Sequence, residues 1–102
     1  MSVIEKKYKE HIRFLNPREK DPGKTLYILL VNEYRRRIVH YQNTDRILRK
    51  KYNMNYDEFV QKNIVSKENF SWNVESDAMD WEQAMDGIET MKQKLQELSS
   101  IE

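Results

Sequence analysis

His40 follows Glu33 by seven residues, two turns along any helix that carries both. An imidazole with a carboxylate is the smallest set for acid–base chemistry, but it must meet a substrate and a third group to act. None is evident. The chain has no glycine-rich phosphate loop, no nucleophile elbow and no HExxH motif, and His11 lies far away in sequence. No enzymatic activity is expected. Asp77 and Asp80, at i and i+3, are spaced to share a cation. Acids near the start of a helix have a sufficient reason in the helix dipole, however. Neither a metal nor any other cofactor is expected.

The charged side chains carry more information than the histidines. Between Lys24 and Tyr52 eight Lys and Arg residues face only Glu33 and Asp45, whereas between Phe70 and Thr90 there are six acids and no base. At 100° per residue, Arg35, Gln42, Arg46 and Arg49 fall within about 60° of one another, on a polar stripe. On the acidic segment Glu82, Asp86 and Glu89 point away from the apolar side. Pairing within the chain therefore cannot consume all of these charges. Arg35, Arg46, Arg49, Glu82, Asp86 and Glu89 are the expected partner-binding residues. Nucleic acid is the competing partner, held by the arginines with Tyr41 or Tyr52 stacking on bases.

The elements that position these groups follow from apolar spacing. Tyr34, Ile38, Tyr41, Leu48 and Tyr52 recur at helical steps within residues 25–52, with Leu30 before them and Asp45 in the same seam. Tyr34, Tyr41 and Tyr52 thus belong to a core rather than to a stacking platform. Asp45 stands where an apolar side chain is expected, and a buried carboxylate needs a partner. Either the seam opens near the helix end and Asp45 is half wet, or it accepts from Trp81, a tyrosine hydroxyl or a partner arginine, with helix register as the consequence. Thr25 is the expected N-cap, and Asn53 is suited to a left-handed helix end. Asn55 and Glu58 fit a reciprocal cap opening a short helix.

A second long helix is expected at 76–98, capped by Ser76. Its seam is Trp81, Ala84, Ile88, Met91, Leu95 and Leu98. Gly87 in its interior is expected to admit another backbone. Between the helices, Phe70, Trp72 and Val74 alternate with polar residues, which predicts an extended strap with one face buried. Residues 1–15 read as a short amphipathic helix and 16–24, with both prolines, as a linker. The expected fold is all-α. A domain at 25–102 forms an antiparallel helical hairpin of two long helices, joined by a short helix and the strap.

The fragments "NEYRRR", "KYNMNYDEF" and "ESDAMDWE" fall within residues 26–98, a region that resembles prokaryotic companion proteins encoded beside small toxins in toxin–antitoxin loci. The resemblance implies a binding protein whose helices cover a toxin and whose N-terminal segment orders on contact. It departs from many antitoxins in lacking a recognisable DNA-binding domain. Composition is compatible with a partner-completed core: 38% of residues are apolar and 34% charged, against averages of about 45–50% and about 25%. A homodimer is expected on that ground. Met1–Leu15 lacks the apolar core of a secretion signal, no stretch suits a membrane span, and there is no cysteine. A cytoplasmic location with no membrane partner is expected.

Overall fold

Asp21 starts the first long helix because its side chain can reach the free amides beyond it. Its Oδ1 accepts from Gly23 N at 2.9 Å, and Pro22 supplies a pre-set φ at the first helical position. The computed structural model describes residues 4–101. In chain order it has α1 (Lys6–Leu15), α2 (Pro22–Tyr52), α3 (Tyr56–Gln61), α4 (Ile64–Lys67) and α5 (Trp72–Ile101). All regular structure among the described residues is helical, as the composition implied.

Several boundaries differ from the sequence reading. Pro22, Gly23 and Lys24 form the first turn of α2 rather than the end of a linker. Thr25 is not the cap. It is buried inside the helix, with no partner for its hydroxyl. Residues 1–3 of the expected N-terminal helix lie outside the described residues, and α1 rests against α2, with Ile12 buried.

The extended strap does not form. Ile64–Lys67 is a helical turn, and Trp72 and Val74 already belong to α5. Ser71 Oγ accepts from Val74 N at 3.4 Å, so Ser71 opens the helix and Ser76 sits within it. Three alternating apolar residues fit a strand and also the first turn of a helix. Phe70 and Trp72 are exposed rather than buried. Asn69 and Phe70 turn the chain between α4 and α5 in the left-handed region, at φ 56° and 55°. That conformation is strained for a bulky side chain.

Other local signals are realised as read. Asn53 ends α2 at φ 56° and ψ 41°, and its amide donates to Arg49 O. Asn55 Oδ1 accepts from Glu58 N at 2.9 Å while Glu58 Oε1 accepts from Asn55 N at 3.4 Å, a reciprocal cap on α3.

The core sits where α3 and α4 fold over the facing ends of α2 and α5. Leu48, Phe59 and Trp81 are its buried centre, flanked by Tyr52, Tyr56 and Val65. Trp81 is fully buried. Its ring centroid lies 5.0 Å from that of Phe59, 5.6 Å from Tyr56 and 6.1 Å from Tyr52. Tilted and offset aromatic pairs at these distances add to what burial alone contributes.

Away from this core the helices continue with less cover. The molecule measures 58 × 24 × 21 Å, with a radius of gyration of 19.5 Å. A compact chain of this length has about 13 Å. Its accessible surface is 8245 Å², roughly 2,000 Å² more than the scaling for a compact monomer of this mass.

Candidate protein-binding site

Three contacts define how α2 meets α5: Tyr52 with Asp77, Asp45 with Trp81, and the Tyr41 ring over Gly87. Residue numbers fall along α5 as they rise along α2. The seam residues face inward, with Leu48, Trp81 and Met91 buried and Tyr34, Ile38, Tyr41, Ile88 and Leu95 half-buried. Leu30 is exposed, where the contact thins out. Tyr41 and Tyr52 are half-buried, Tyr41 packed over Gly87 and Tyr52 beside Trp81.

Gly87 accommodates a side chain, not the backbone expected there. A Cβ at Gly87 would lie 2.4 Å from Tyr41 Cε2. Gly87→Ala should therefore destabilise the protein despite gaining about 1 kcal/mol of helix propensity, because the ring must move and displaced packing costs about 1–3 kcal/mol. In a Tyr41→Ala background the same change should stabilise. Urea melts of the four chains check this reversal of sign.

Asp45 has the expected donor. Its Oδ1 accepts from Trp81 Nε1 at 2.8 Å, and its Oδ2 accepts from Arg49 at 2.7 Å. The side chain is 13% exposed. Asp77 makes a second polar junction, which the sequence reading missed. Its Oδ2 accepts from Lys51 Nζ and from the Tyr52 hydroxyl, both at 2.6 Å. Because α5 starts at Trp72, Asp77 and Asp80 lie beyond its first turn, and the dipole account given for them fails. Burial raises the Asp77 pKa, but the two hydrogen bonds and the Lys51 charge outweigh it and leave the carboxyl below its ordinary value. Burial, followed by the Asp77 contact, pushes the Tyr52 hydroxyl up.

The sign of the Asp77 shift fixes a pH dependence. A depressed folded-state pKa stabilises the fold above the unfolded carboxyl pKa, near 3.9. That contribution is lost as pH falls through the lower folded value. The Tm difference between the native chain and Asp77→Asn should thus be constant above about pH 5 and shrink below about pH 4. Thermal melts across that range check it.

Most remaining charges face outward. Glu33 Oε1 and Oε2 accept from Arg36 at 2.8 and 2.7 Å, and Oε2 also accepts from Arg37 at 2.8 Å. The hydrogen bonds from Arg36 and Arg37 hold its carboxyl down at about 2. Glu33 is thus occupied by arginines rather than paired with His40, which is exposed beside Arg36 and Arg37. Among the described residues no three acids or histidines converge as a metal site would require.

Of the six acids between Phe70 and Thr90, only Asp77 forms an ion pair among the described residues. Glu82, Asp86 and Glu89 are exposed. Their field reaches α3: burial first, then the Glu82 and Asp86 charges, push the Tyr56 hydroxyl up. On α2, Arg35 and Arg46 are exposed and form no ion pair among the described residues, while Arg49 is held by Asp45.

Each stripe also carries exposed apolar side chains, which the sequence reading missed. Trp72 and Met79, 75% and 66% exposed, continue the line of Glu75, Glu82, Asp86 and Glu89 at steps of three and four. Ile28 and Val39, 47% and 55% exposed, continue the line of Arg35 and Arg46. The signal was present as a second heptad on each helix. Assigning Trp72 to a buried strap hid one of them.

Family models, curated proteins and solved structures were compared with the chain, and none matches it.

Proposed function

We propose that this chain is a non-catalytic protein-binding module, built as a helical hairpin whose outward faces take the partner. The observation that supports it most is the outward stripe of α5. Glu82, Asp86 and Glu89 lack a cation within the described chain and lie in line with exposed Trp72 and Met79. Apolar anchors ringed by uncompensated charge suit a protein interface, in which apolar contact supplies affinity and charge supplies orientation. With the resemblance to toxin companions, the more specific reading is an antitoxin-like partner that covers a small toxin protein.

Copurification tests this reading. Tagged chain expressed in its source cell should retain a discrete protein in stoichiometric amount. A Glu82→Lys/Asp86→Lys/Glu89→Lys chain should lose it while keeping its helical circular dichroism.

A second reading, nucleic-acid binding, draws on the exposed Arg46, Arg49 and Lys50, which line one shallow groove. It is the weaker reading because Arg36, Arg37 and Arg49 are tied to carboxylates and two tyrosines face the core. Anisotropy titrations with duplex DNA and single-stranded RNA should be flat at low salt. Saturable binding that falls steeply with salt and disappears in Arg35→Glu/Arg46→Glu would favour the second reading instead.

A further inference from the structure

The two outward stripes complement each other. The basic one runs from Ile28 to Arg49 on α2, and the acidic one from Trp72 to Glu89 on α5, with Gln93 one turn further on the same line. Counted to Gln93, each spans 21 residue steps, about 32 Å of helix. Each repeats every three or four residues, and each occupies an arc of roughly 100°. By helical angle the α5 stripe lies opposite that helix's own seam, and the α2 stripe lies roughly 100° round from its seam. The chain therefore cannot close one stripe on the other by itself.

We infer that the occupant of the acidic stripe is the basic stripe of a second copy of this chain. This deepens the protein-binding reading above and rests on it. Alignment favours an antiparallel meeting of α5 with the partner's α2. Placing Trp72 opposite Arg49 sets Glu75 opposite Arg46, Met79 opposite Gln42 and Asp86 opposite Arg35. Two ion pairs and a cation–aromatic contact result, with no like charges opposed. A parallel alignment with Trp72 opposite Leu29 yields one ion pair between the stripes, Glu89 with Arg46. The surface available agrees in size. The elongated chain exposes roughly 2,000 Å² more than a compact monomer of its mass, more than the ~800 Å² per partner that a standard interface buries, although this excess belongs to the whole molecule.

The contact joins unlike surfaces, so it also predicts its own repair. Arg35→Glu/Arg46→Glu places acids opposite Asp86 and Glu75, and Glu75→Lys/Asp86→Lys places lysines opposite Arg46 and Arg35. Sedimentation equilibrium of the full chain should show self-association at micromolar concentration that weakens with salt. Each reversed chain alone should associate at least about tenfold more weakly while keeping its helical circular dichroism. An equimolar mixture of the two should associate again, because the reversed positions of each chain then face unlike charges on the other. A native chain that stays monomeric at low salt would overturn the inference, as would reversed chains that associate like the native one, or a mixture that stays monomeric. If the native chain is monomeric yet copurifies with a different protein lost on charge reversal, only the second-copy assignment falls and the protein-binding reading stands.

Discussion

Trp81→Ala should cost about 3–5 kcal/mol, the largest loss expected of any single substitution in this chain. Trp81 is fully buried and touches three aromatic rings from α2 and α3. Its removal opens a cavity at the one place where those helices and α5 share a core. Small domains have only about 5–15 kcal/mol in total, and this one spreads its residues over 58 Å. The variant should be partly unfolded at room temperature. The second tryptophan is the internal control. Trp72 is 75% exposed, so Trp72→Ala should change stability by no more than about 0.5 kcal/mol. Urea titration followed by circular dichroism compares them without relying on tryptophan emission.

Asp45→Ala should cost about 1–3 kcal/mol, far more than its appearance as a surface ion pair suggests. Ion pairs with one solvated partner, such as Asp45 with the exposed Arg49, contribute about 0–1 kcal/mol. The larger effect comes from Trp81, whose Nε1–H donates to Asp45 at 2.8 Å, its one acceptor among the described residues. Without the carboxylate a buried donor is left unsatisfied. Asp45→Asn keeps an acceptor and should lose less than the alanine variant. Combining Asp45→Ala with Trp81→Phe should cost less than the two losses added, because the phenylalanine ring has no donor to strand. Asp45→Leu tests the role in register. If it raised Tm without altering oligomeric state or partner binding, the hydrogen bond would have no positioning role.

Much of this arrangement was legible in the sequence, for reasons that differ by element. The seams were legible because burial on one side of a long helix writes a repeat into the residue order. Asn53, Asn55 and Glu58 were legible because caps are local chemistry. Asp45 was legible as an anomaly, a carboxylate among tyrosines, with Trp81 among its expected donors.

The start of α5 was not legible. Phe70, Trp72 and Val74 satisfy a strand pattern over a window too short to reject a helix, and the Ser71 cap lay inside it. Asp21 with Pro22 reads as part of a linker although the same pair opens helices. The junction at Asp77 depends on where Lys51 and Tyr52 arrive after α3 and α4 reverse the chain, which residue order does not encode locally. Among the partner residues, Arg35, Arg46, Glu82, Asp86 and Glu89 lie on outward faces as expected, while Arg49 is half committed to Asp45. Their apolar companions, Trp72, Met79, Ile28 and Val39, emerged only once their exposure was known.

The central claim is that the outward stripe of α5 is a protein-binding surface. The most direct measurement is quantitative copurification of the tagged native chain beside its Glu82→Lys/Asp86→Lys/Glu89→Lys variant, with circular dichroism confirming that both are folded. The account predicts a stoichiometric protein partner, whether a second copy or another chain, held by the native protein and lost by the variant. A partner retained unchanged by the charge-reversed chain, or no protein retained by either, would contradict it.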